Sequence, residues 1–124
     1  MKKSEWKEQL FCLFAVPVED LSYEEKIELI EKFFVEYQRK NDERRERLNR
    51  GKPWTNNELR IILSAAPTVD NCIKFSKLFG RSYGSIEQIY RWASTDDKEV
   101  ERKRPDDKFI AQVKQIAKEL RWRA

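Results

Sequence analysis

Apolar residues recur at helical spacing along most of the chain, and the breaks between these stretches divide it into segments. Trp6, Leu10, Leu13 and Phe14 share such a spacing in a first helix, expected to start after Ser4 and to end before Pro17. Proline cannot continue a helix and restricts the residue before it. A second helix is expected from Ser22, because Ser22 and Glu25 have the spacing of a capping box. Ile27, Ile30, Phe34 and Tyr37 fall on one of its faces, with Leu29 and Phe33 beside them. The two form a helical hairpin joined at Pro17. Beyond Tyr37 apolar residues vanish until Leu48, and the Arg-, Glu- and Asn-rich segment can extend the helix only through ion pairs four residues apart. Gly51 and Pro53 end it, which sets residues 1–50 apart as an N-terminal hairpin and extension.

Thr55 and Glu58 repeat the capping-box spacing and open a helix whose core face is Leu59, Ile62, Leu63 and Ala66, up to Pro67. Val69, Ile73, Leu78 and Phe79 supply the apolar face of a second short helix. A helix-turn-helix needs a small residue where its helices cross, a glycine free to take positive φ in the turn, and branched apolar residues returning to the core. Ser76, Gly80, Ile86 and Ile89 meet those demands in order. Residues 94–104 read as a charged linker. Pro105 and Asp106 open a last amphipathic helix over 105–124, with Phe109, Ile110, Val113, Ile116, Ala117 and Leu120 on one face. Lys114, Lys118, Arg121 and Arg123 sit elsewhere or at its end, where cations suit the helix dipole.

The composition agrees with a helix-rich protein, because charged residues make up 39% of the 124, hydrophobic ones 40%, and only three glycines and four prolines interrupt them. The fold class expected is all-α. A formal charge of +4 and a pI near 9.1 are compatible with a nucleic-acid partner. Placement says more: Glu19 to Glu36 is acidic, while the basic segments Arg39 to Arg50 and Lys98 to Arg104 flank the centre. There is no histidine, and Cys12 and Cys72 lie far apart among apolar neighbours. Zinc sites of the usual Cys and His type and histidine-based catalysis are therefore excluded, and the cysteines read as small core residues of a reducing, cytoplasmic compartment. Met1-Lys2-Lys3 ahead of Leu10 to Val18 resembles a secretory signal only superficially, since Glu5, Lys7 and Glu8 intervene. No apolar run approaches the roughly 20 residues of a membrane span.

Residues 52–93 resemble the Myb/SANT family of homeodomain-like, three-helix domains. Trp54-Thr55 followed by Glu58-Leu59 is similar to that family's first-helix signature, and Gly80-Arg81-Ser82 followed by Ser85-Ile86 and Tyr90 is similar to its turn and third helix. Trp54 stands at the first of the family's three core aromatic positions, Ile73 or Phe75 at the second and Tyr90 at the third. The resemblance implies a helix-turn-helix whose third helix begins near Tyr83 and enters the major groove of double-stranded DNA. Glu87, Gln88, Arg91 and Tyr83 would then read bases, glutamine suiting adenine, arginine guanine and glutamate the cytosine amino group. Arg81, Lys74, Lys77 and Ser85 would contact phosphates and position the helix.

Acidic pairs at Glu24-Glu25, Asp96-Asp97 and Asp106-Asp107 fit helix starts or a linker better than a metal-dependent nuclease, and no glycine-rich phosphate loop is present. No catalytic residue, cofactor or metal is expected. Trp6, Phe11, Phe14, Phe33, Phe34 and Tyr37 exceed what a two-helix hairpin can bury, so the surplus either packs on the central module or makes a homodimer through the N-terminal helices. The expectation is a sequence-directed DNA-binding protein of the small bacterial or phage transcriptional-regulator type. Its rival is an adaptor or inhibitor that engages a protein partner through the same fold and its apolar flanking helices.

Overall fold

Short polar side chains start nearly every helix of the chain, each standing in for a bond that the first turn cannot make. The computed structural model describes residues 1–122, so Arg123 lies outside the described residues. The described residues form an all-α protein with helices α1 (Lys3–Ala15), α2 (Tyr23–Lys40), α3 (Asn56–Leu63), α4 (Val69–Phe79), α5 (Tyr83–Ser94), α6 (Asp97–Lys103) and α7 (Lys108–Glu119). The two expected capping boxes are both made. Ser22 Oγ accepts from the Glu25 amide while the Glu25 carboxylate accepts from the Ser22 amide, and Thr55 and Glu58 repeat this at α3. Thr68, Ser82, Asp96 and Asp107 cap α4 to α7, while α1 follows Lys2 without a side-chain cap.

Three boundaries differ from the sequence reading. α2 stops at Lys40 instead of running toward Gly51, because the backbone leaves helical geometry at Asn41 (φ −113°, ψ 26°), and a single 3₁₀ turn over Asp42–Arg44 follows. The linker expected over 94–104 contains α6, supported by Asp96 at its start and by Glu99 paired with Arg102 and Lys103. α7 begins at Lys108, since Asp106 takes a left-handed φ of 64° that no helix accepts.

The chain divides into two compact units, Met1–Tyr37 and Gln38–Ala124. The first holds α1 and most of α2, and neither helix has a buried residue. Cys12, expected in a core, is exposed; Cys72 is buried.

In the second unit α5 packs on α3, α4 and α7, and α3 packs on α7. Leu59, Ile62, Ile86, Ile89, Ile110 and Val113 are fully enclosed. The last helix is thus part of the central core. Arg60 clips α3 to it through the Glu119 carboxylate at 2.6 Å. Lys114 of α7 donates to the carbonyls of Ala93 and Thr95 at the end of α5 and pairs with Asp97 of α6, which ties the short helix down. At the end of α4, Gly80 takes φ 62°, where an L side chain is strained, and a Cβ there would meet Asn49 Nδ2 at 3.2 Å.

The Tyr90 hydroxyl donates to the Ile62 carbonyl at 2.6 Å inside this core. Burial, with a smaller effect from Cys72, pushes the phenol well above its ordinary value. A raised value in the folded state contributes stability that is present below the unfolded phenol's pKa, near ~10, and lost as pH rises past it. Tyr90→Phe should cost about 1 kcal/mol at neutral pH and should remove part of the stability loss above about pH 10. Urea unfolding at pH 7 and at alkaline pH checks both.

Candidate functional site

The surface of α5 is what its packing leaves over. Tyr83, Ile86, Ile89, Tyr90 and Ala93 face the core, while Gly84, Gln88, Arg91 and, at the end of the helix, Ser94 are exposed, with Glu87 half-buried beside the first three. These positions recur at four and three residues, one face of a helix. Of the residues expected to read bases, Glu87, Gln88 and Arg91 lie together on this side. Tyr83 does not. Its side chain is 7% exposed and lies under the Arg39 guanidinium, 4.4 Å from the ring centre.

The expected phosphate contacts are likewise divided. Lys74 and Lys77 are exposed along α4. Arg81 is 6% exposed and serves the fold. Its guanidinium donates to the carbonyls of Lys52 at 2.6 Å and Pro53 at 3.3 Å and stacks on Trp54, 4.0 Å from the ring centre. Its backbone is held too, because Ser76 Oγ donates to the Arg81 carbonyl and the Arg81 amide donates to the Ser76 carbonyl. A cation so enclosed has no face for a phosphate. Ser85 is half-buried, with its hydroxyl 2.8 Å from that of Ser82.

Nor is the start of α5 an open anion site. Asp42 accepts from the Tyr83 amide with both carboxylate oxygens at 3.1 Å, and Ser82 Oγ accepts from the Ser85 amide. Asp42 occupies the place where a phosphate was expected, and Arg47 pairs with it at 2.9 Å. The favourable dipole is already satisfied from within the chain.

Three cations missed in the sequence belong to this side of the molecule. Arg39, from the last turn of α2, reaches Glu87 at 3.4 Å, while Arg91 reaches the same carboxylate at 3.2 Å. Lys52 and Lys108 line an open groove of about 460 Å³ together with Trp54, Ser85, Gln88 and Gln112. Its floor is set by Gln112, whose side-chain amide donates to the Trp54 carbonyl and to Asn56 Oδ1. The basic run from Arg39 was a signal for the first of them. Lys52 and Lys108 carried none, because 56 residues separate them and only the packing of α3 on α7 brings them together.

Residues 48–124 match the family described as Uncharacterised protein PM1205 C-terminal domain. Over 124 residues the chain is 44% identical to the Uncharacterized protein PM1205 of Pasteurella multocida (strain Pm70), covering 99% of each. The chain belongs to the PM1205 family. The PM1205 C-terminal domain takes in α3 to α7 and leaves out Arg39 and Asp42, both of which touch α5. No solved structure matches the chain.

Two changes test this arrangement. Arg81→Lys keeps the charge but cannot bridge two carbonyls while stacking on Trp54, and should cost about 1–3 kcal/mol of unfolding free energy. A loss under half of that would mean the guanidinium is not structural. Glu87→Gln removes two half-exposed ion pairs, worth together no more than about 1–2 kcal/mol, and releases Arg39 and Arg91. It should therefore elute later than the parent protein from heparin; unchanged elution would show that these arginines do not face polyanions.

Proposed function

We propose that the protein binds double-stranded DNA, with α4 and α5 acting as a Myb/SANT-like helix-turn-helix and α5 as the helix that enters the major groove. The role is that of a small bacterial or phage-type transcriptional regulator acting in the cytoplasm. The observation that carries the reading is the exposed strip Gly84, Gln88 and Arg91 opposite the face of α5 that Ile86, Ile89 and Tyr90 bury. Gln88 can donate to and accept from an adenine edge, and Arg91 can donate twice to a guanine edge.

Gly84 adds to it. Glycine within a helix costs up to about 0.5–1 kcal/mol against alanine, and a Cβ at this position would meet nothing within 4 Å. Packing does not require a glycine here, and the missing Cβ leaves room for a duplex beside the exposed strip. Charge supports the same partner. Gln38–Ala124 has 21 Lys and Arg against 13 Asp and Glu, a formal +8, while Met1–Tyr37 has 5 against 9, or −4. Lys52 and Lys108, beside Gln88, and Lys74 and Lys77 of α4 are the side chains offered to phosphates in place of Arg81 and Ser85.

Selection from a random duplex library should enrich one motif, with affinity falling steeply between about 50 and 200 mM salt as counterions are released. Gln88→Ala and Arg91→Ala should each cost about 1–3 kcal/mol at that motif and leave the fold intact. Gly84→Ala should raise the unfolding midpoint while weakening binding, a split that a purely structural glycine does not produce. Wild-type affinity in all three variants would remove α5 from the interface. Salt-independent association with a protein instead would support the adaptor reading.

A further inference from the structure

The N-terminal unit, Met1–Tyr37, leaves most of its large apolar side chains exposed. α1 and α2 contain no buried residue. Leu10 and Phe14 are half-buried, yet Trp6 is 59%, Phe11 56%, Leu13 68% and Phe33 55% exposed. On α1, Phe11 lies on one flank of the Leu10–Phe14 row and Leu13 on the other, with Trp6 extending the row, and a helix apolar over so wide an arc is normally covered on more than one side. Ordering two helices without a buried side chain does not repay the conformational entropy.

We propose that this unit is a self-association module, in which α1 and α2 of one chain pair with α1 and α2 of a second copy around a two-fold axis. Area and charge commit the occupant. Aromatic side chains bury ~150–250 Å² each, so Trp6, Phe11 and Phe33 with Leu13 leave on the order of 400–500 Å² uncovered. Val16, Val18 and Tyr23, all exposed, add to this, which brings the surface toward the ~800 Å² per partner of a stable interface.

The unit's charge of −4 opposes a duplex or an anionic membrane as its cover. Within the unit, charge is segregated. Residues 1–16 carry Lys2, Lys3 and Lys7 against Glu5 and Glu8, whereas residues 19–37 carry seven acids against Lys26 and Lys32. A two-fold pairing that lays α1 of each chain beside α2 of its partner sets basic against acidic segments twice, the self-complementarity that a two-fold interface requires. The proposal rests on the N-terminal unit alone and is independent of the DNA reading.

Sedimentation equilibrium of the full chain without DNA tests it. The expected mass is twice the 15.0 kDa of the chain. Phe11→Asp should return it to a single chain mass, with the cooperative unfolding of Gln38–Ala124 unchanged. Lys3→Glu with Lys7→Glu leaves the apolar surface intact and should weaken association about five- to tenfold through charge alone, so it reports pairing and not loss of a fold. A single-chain mass at all concentrations up to about 200 µM, far above the Kd of a stable dimer, would overturn the proposal. So would association that neither variant weakens.

Discussion

α5 can be buried from three sides only in one rotation, and the rest of the C-terminal unit follows from that. Ile86 and Ile89 are wholly enclosed where α3, α4 and α7 meet the helix. Turning α5 by one residue would drive Glu87 and Arg91 into this core in one direction, or Ser85 and Gln88 in the other, at several kcal/mol for each charged or polar group left without a partner. The same constraint therefore decides which side chains are buried and which remain outside. It also makes α7 indispensable: Ile110, Val113 and Ile116 close the side of α5 that a three-helix unit would leave wet.

Local features of this architecture were legible in the sequence. Capping boxes depend on residues three apart, so Ser22 with Glu25 and Thr55 with Glu58 marked helix starts that the structure has. Gly80 was identified as the turn glycine for a reason the backbone bears out, its left-handed φ. Reading failed where a partner lay far along the chain. Arg81 looks like a phosphate ligand in its own segment, but its acceptors are carbonyls 29 and 28 residues earlier. Tyr83 looked available because nothing nearby revealed that Arg39, 44 residues earlier, would cover its ring. α6 was hidden differently: its helix rests on charged pairs and on Lys114 of α7, and has no apolar face to detect.

The fate of the cations bears on how selective this surface can be. Arg81 is consumed by the fold, Arg47 by Asp42, and Arg39 and Arg91 share Glu87. A carboxylate held between two arginines keeps them extended and ordered at little cost, while it lowers the attraction of the strip for any polyanion irrespective of sequence. A ligand that binds here must offer Gln88 and Arg91 specific acceptors to compensate.

The net charge of +4 conceals a division that matters more, since the two units carry +8 and −4. Attraction to phosphates depends on the cations within a Debye length of the backbone, about 8–10 Å in ordinary salt, and not on the sum over the chain. One α5 strip with a few flanking lysines makes few such contacts, so a single copy binds weakly under the proposed reading. Two copies joined through acidic units that a duplex does not attract would bring two basic units to one site, where the second engages at the effective concentration set by the first. Under that reading the acidity of the N-terminal unit would also keep its apolar surface from nonspecific contact with DNA.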